Sequence, residues 1–112
     1  MALKRMALQI GMGTDIRGVD STKAAKRALL DAIRRNALTI APALGKSPED
    51  MHVEVRIGVP DPETVDTAEV LSVLPYGTHT IEVVAGGLKI PHDGRSDATL
   101  IAHAATIVRL DV

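Results

Sequence analysis

The chain has no cysteine, tryptophan or phenylalanine, and Tyr76 is its one aromatic residue. Without cysteine there is no disulfide framework and no thiolate nucleophile, a composition that suits a reducing compartment. Without aromatic rings there are no stacking platforms for unpaired bases. An excess of one charge is missing as well: 13 Lys plus Arg face 14 Asp plus Glu, a formal net charge of −1. No positive field is available to neutralise phosphates, so nucleic acid is not an expected partner. No apolar run approaches the roughly 20 residues that span a bilayer, and Met1–Arg5 is not followed by the apolar stretch of a signal sequence. A cytoplasmic protein without a membrane partner is expected. A core built from Ile, Leu, Val, Ala and Met has few large anchors. Association with further copies, a homo-oligomer, is a natural way to bury more surface.

The 112 residues have room for one domain, 1–112. Residues 6–12 alternate, with Met6, Leu8, Ile10 and Met12 opposed to Ala7, Gln9 and Gly11, which predicts a strand. From Ser21 to about Leu38 the spacing becomes helical. Ala24, Ala25, Ala28, Leu29, Ala32 and Ile33 form an apolar stripe, with lysines and arginines opposite. Asp20 or Ser21 is the N-cap candidate, and Arg34 and Arg35 suit the negative end of the helix dipole. Met51–Val59 alternates cleanly. Asp66-Thr-Ala-Glu69 is a capping-box pattern that opens a short helix through about Leu74. Thr78–Ala85 predicts a third strand, Gly86–Asp97 a long loop, and Ala98–Leu110 a fourth strand apolar on both sides.

The predicted order is β-α-β-α-β-β, an α+β two-layer sandwich with a mixed four-stranded sheet and two helices on one face. The first two connections are expected to be parallel crossovers, and the last two strands antiparallel neighbours. The bare face would carry Gln9, His52, Glu54, Arg56, Thr80 and Glu82. One reading leaves that face to solvent. The other covers it with a second subunit, because a strand apolar on both sides needs something on each.

Candidate chemistry gathers in the turn Gly11–Lys23. Glycines after a strand and hydroxyls at a helix start offer free N–H groups to an anion, aided by the helix dipole. Gly11 and Gly13 would cradle the ligand and Thr22 would contribute from the helix start. Neither nucleotide fingerprint is present: Gly13 to Gly18 has the wrong spacing, and the order Ser-Thr-Lys inverts the Walker pattern. Lys23 sits against the positive end of the dipole. Asp15 or Asp20 would offset it, acting as acid/base or orienting it; simple pairing with Asp20 is the plainer reading. Asp15 and Asp20 offer oxygens that suit Mg²⁺, although aspartates are also ordinary turn formers. Glu63 and Asp61, at the end of the second strand, lie where ligands of parallel sheets bind. Tyr76, Gly86 and Gly87 end elements that can approach the same turn. His52, His79, His92 and His103 lack the spacing of a helical zinc site, and His92-Asp93 reads as a solvated turn. No serine lies in a nucleophile elbow.

Gly11-Met-Gly-x-Asp15-x-x-Gly18-x-Asp20-x-Thr22-Lys23-Ala-Ala25-x-Arg27-Ala, Ile57-Gly-Val-Pro60-x-Pro62-Glu63-x-Val65-Asp66, Pro75-Tyr-Gly77 and Glu82-Val-Val84-x-Gly86-Gly87-Leu88 together resemble the small "Lin" conserved-hypothetical family, named for a Listeria protein and also found in plants. The resemblance spans nearly the whole chain. It implies a shared fold and a shared site region around Asp15, Asp20, Thr22 and Lys23, and no particular activity. The expectation from the residues is a homo-oligomeric protein that binds a small anionic or carbonyl-bearing metabolite at a subunit boundary, with or without catalysis. Small sandwiches with a bare sheet face, such as chorismate-mutase-like and ring-opening amidohydrolase-like folds, offer a fold-level analogy. The alternative is a non-catalytic self-assembling or partner-binding module that works through the exposed sheet face.

Overall fold

A computed structural model describes residues 2–34, 40–75 and 77–112. Its elements run β1 (Leu3–Asp15), α1 (Ser21–Arg34), α2 (Ile40–Ala43), β2 (His52–Val59), α3 (Thr67–Leu71), β3 (Thr78–Ala85), β4 (Leu88–Pro91) and β5 (Ala98–Asp111). The fold is α+β with a mixed five-stranded sheet in the order β1-β5-β2-β3, and β4 pairs with β5. β2 and β3 are parallel, while β5 runs antiparallel to β1, β2 and β4. β1 and β2 therefore point the same way, as two crossovers demand, but β5 is inserted between them.

The two expected neighbours at the chain's end are not paired with each other. β5 leaves β3 and takes the centre of the sheet. The segment read as a loop, Gly86–Asp97, contains β4, whose Leu88 to Pro91 pair with Ile101 to Ala98. Four residues with a proline give too short an alternation to register as a strand. Between α1 and β2 the chain forms α2 and a 3-10 turn at Pro48–Asp50, capped by the Ser47 side chain. The expected end of the first helix, beyond Arg34, lies outside the described residues.

The core lies between the sheet and α1. Ala24, Ala25, Ala28, Leu29 and Ala32 are buried against Val53, Val55, Ile57 and Val59 of β2 and Leu100, Ala102, Ala104, Val108 and Leu110 of β5. The Asp20 carboxylate accepts the Lys23 N–H at 3.0 Å, and the Asp66 carboxylate accepts the Glu69 N–H at 3.2 Å, so both helices carry side-chain caps. Thr22 Oγ1 accepts the Asp66 N–H at 2.9 Å and ties the starts of α1 and α3 together.

One assignment is reversed. Gln9 faces α1 rather than the bare face; it is buried, and its Oε1 accepts from Thr106 Oγ1 at 2.9 Å. Leu8, Ile10 and Met12 point away from the helix and are exposed. Alternation separates two faces of a strand without saying which is inward. Here α1 presents alanines, and its backbone lies against Gly11 and Gly13. A Cβ at Gly13 would land on the backbone of Ala24 and Ala28, and one at Gly11 on Ala28 and Ala32. No methionine or isoleucine fits in that gap, so the large side chains turn outward.

Candidate functional site

The turn between β1 and α1 is held by Asp15. Its carboxylate is nearly buried and accepts the N–H of Gly18 at 3.4 Å and of Asp20 at 2.9 Å, with Arg27 Nη1 at 3.9 Å. These bonds straddle Val19, whose φ of 50° is a left-handed conformation that a β-branched residue adopts at a cost. Asp20 caps the helix. Lys23 is exposed beside a shallow cleft of about 260 Å³ with Thr22, Lys26, Arg27 and Glu69. The structure thus places Asp15, Asp20, Thr22 and Lys23 within one turn, with Asp15, Asp20 and Thr22 each bonded to backbone N–H groups. The Lys23 ammonium forms no ion pair among the described residues. Both Asp15 oxygens already accept from backbone donors. Among the described residues no three His, Cys, Asp or Glu side chains gather as a metal site would require.

Glu63 lies exposed in the 3-10 turn Pro62–Thr64, and Asp61 pairs with Lys89 at 3.8 Å. Gly86 packs on the backbone of Gly58, and Gly87, with φ 64°, lies against the Ile101 carbonyl. Their lack of side chains lets the chain cross from β3 to β4 close over β2 and β5. Tyr76 lies outside the described residues.

A cavity lies on the other side of β1, on the open sheet face. It measures about 540 Å³, within the range of small-molecule sites, and is lined by Ile10, Met12, Gly58, Val84, Ala105 and His103, with Gly11, Asp31 and Arg56 also at its walls. Strand register explains the grouping. Met12 is opposite His103, which is opposite Gly58, which is opposite Val84; in the next row Ile10, Ala105, Arg56 and Glu82 follow one another. Gly58 and Ala105 leave a hollow between the larger residues of both rows. The His103 side chain forms no hydrogen bond to the described residues. Arg56 Nε donates to Glu54 Oε2 at 2.6 Å, and Arg109 Nη1 donates to Glu54 Oε1 at 2.8 Å. Arg109 first, and then Arg56, hold the Glu54 carboxyl below its ordinary range, and Glu54 in turn raises the Arg56 guanidinium.

Alternation alone puts Arg56 on the bare face without a task, and His103 carries no zinc-site spacing. The usable signal was the alternation of β2 with β5; what was missing was the register that brings Gly58, Ala105 and His103 side by side.

His92 is not a solvated turn. It is half-buried, with Nδ1 2.8 Å from Asp97 Oδ1 and Nε2 2.9 Å from Thr99 Oγ1, and Thr99 Oγ1 reaches the Ile16 carbonyl at 3.3 Å. The chain of bonds fastens the β4–β5 hairpin to the turn after β1. His92, and then Arg95, hold the Asp97 carboxyl below its ordinary range. A depressed folded value means that the contribution is present at neutral pH. It fades as pH falls from about 5 through the folded value. Asp97→Asn is accordingly expected to lower stability at pH 7 and to leave a shallower loss between about pH 5 and 2 than the parent shows. Urea midpoints measured across that range check it.

The model of the Lin0512 conserved hypothetical family matches residues 5–108. The chain belongs to this family. It is also similar, at 40% identity and a TM-score of 0.89, to a crystal structure from Nostoc punctiforme PCC 73102 described as an FtsZ-like protein of unknown function; the match covers 100% of this chain and 99% of that one. No curated protein matches the chain. Among the described residues no helix is long and apolar enough to cross a membrane.

Proposed function

We propose that this Lin0512 family member binds a small metabolite with an apolar body and one anionic or carbonyl group, in the open-face cavity at a subunit boundary. The observation that carries the reading is the cavity itself: an apolar hollow with the imidazole of His103 and the guanidinium of Arg56 at its walls. Ile10, Met12 and Val84 would take the apolar body. His103 and the Arg56 nitrogens not engaged by Glu54 would take the oxygens, charge-assisted in the case of Arg56. Gly11 belongs both to this wall and to the turn singled out in the sequence; the proposed ligand would lie on the far side of the strand from Lys23.

A thermal-shift panel of aliphatic and aromatic monocarboxylates, with and without a 2-oxo group, tests the proposal. At least one class is expected to raise Tm. Arg56→Ala and His103→Ala are each expected to weaken its binding about tenfold or more, the scale of a lost charge-assisted hydrogen bond. Lys23→Ala is expected to leave binding unchanged. A panel without effect overturns the reading, and so does binding that survives both cavity substitutions. Binding lost in Lys23→Ala alone would return the site to the turn.

A further inference from the structure

We infer that the open sheet face is covered by a second copy of this chain, packed sheet against sheet, and that the cavity becomes a closed site only in that pair. The closed site rests on the ligand reading above; the pairing does not.

Among the described residues most exposed large apolar side chains share one face, while Ile16, Val19, Leu30 and Leu44 lie in the turn after β1, in α1 and after α2. Leu8, Ile10 and Met12 of β1, Val84 of β3 and Leu88 and Ile90 of β4 are all exposed and all project from the face opposite α1. Ile101, Ala105 and Ile107 of β5 lie between them on that same face. Ile10 is 68% exposed and Leu88 58%. A contiguous apolar patch of this extent marks an interface rather than ordinary surface.

The face is close to the size a stable pair uses. With about 4.8 Å between strands and about 3.3 Å per residue, the five strands cover roughly 750 Å² in projection. A stable pair buries about 800 Å² on each partner. The molecule is elongated, 56 × 23 × 18 Å. The radius of gyration is 15.3 Å, against about 13 Å for a compact chain of this length.

Charge identifies the occupant. The polar corner of the face carries Glu54, Glu82 and Asp111 against Arg5, Arg56 and Arg109, three of each sign, with Glu54 bonded to both Arg56 and Arg109. A strongly acidic or basic partner finds no net field there, and a lipid surface would have to desolvate six charges. A second copy brings the same balanced set and the same apolar stripe, which is the self-complementarity of a two-fold contact.

Association through the edge of the sheet is obstructed at this end of β1. The Asp31 carboxylate accepts the Met12 N–H at 3.0 Å, and Arg27 Nη1 donates to the Thr14 carbonyl at 2.7 Å. Helix side chains thus occupy backbone groups that an added strand would need.

Sedimentation velocity of the full chain between 1 and 100 μM is the first test. The expected mass is that of two copies or a multiple of two. Ile10→Lys changes an exposed residue, so its circular dichroism should match the parent while its mass falls to one chain. Because the chain has no cysteine, Met12→Cys and Lys23→Cys each give a single thiol. Met12→Cys is expected to react with maleimide at least tenfold more slowly than Lys23→Cys. A monomer over the whole range overturns the inference, as does an oligomer that Ile10→Lys leaves intact or a Met12→Cys thiol as reactive as that of Lys23→Cys. If a monocarboxylate stabilises a monomer, the ligand reading stands and the pairing falls. If pairs form and no carboxylate binds, the reverse holds.

Discussion

Gly13→Val is expected to cost at least about 3 kcal/mol of stability, near the upper end for overpacking. The first atom of any side chain at this position falls on the α1 backbone between Ala24 and Ala28. A flexible neighbour could swing aside; a helix backbone cannot. The whole of α1 would have to lift from β1, opening the contact of its alanines with β2 and β5. Gly11→Val meets the backbone of Ala28 and Ala32 in the same way. Urea denaturation with a global fit of midpoint and slope measures the loss, and a fall of about 10–20 °C in Tm should accompany it. A Gly13→Val protein as stable as the parent would mean that the helix does not lie on this strand.

Asp15→Ala is expected to lower stability by about 2–3 kcal/mol, because two turn N–H groups lose their acceptor inside a nearly buried site. Asp15→Asn keeps one carbonyl oxygen and should fall between the two. The loop beyond it contains Val19 in a left-handed conformation, which costs on the order of 1–3 kcal/mol and persists only while its surroundings hold it. Amide exchange at Gly18 and Asp20 should therefore accelerate in Asp15→Ala more than exchange in the middle of α1. A variant that keeps the parent's stability and exchange rates would free Asp15 for a purely chemical role.

How far the sequence could be read depended on whether a pattern was local. The start and buried face of α1 follow from a cap and a 3.6-residue stripe, both contained in the segment itself. β2 and β3 follow from alternation and from prolines or glycines at their ends. β5 was rightly expected to be apolar on both sides, with Leu100 and Val108 against the helix and Ile101 and Ile107 on the open face. Its insertion between β1 and β2 depends on pairings nearly the length of the chain apart, such as Gln9 with Thr106. No local pattern encodes that. The same dependence hid the cavity, whose walls come from β1, α1, β2, β3 and β5. The glycines after β1 were visible as a signal; their packing cause was not, because alanine at Ala24, Ala28 and Ala32 reads as helix propensity until a strand is laid beside it.

The direct contact of strand and helix backbones also makes β1 a poor insulator. At Gly11 and Gly13 there is no layer of side chains between β1 and α1 to absorb a displacement. Met12, between them in sequence, faces the cavity. A push on Met12 from the open side is thus delivered to the helix axis as a rigid movement, at a lever arm of one peptide. A ligand or partner that displaced Met12 is therefore expected to shift α1 as well.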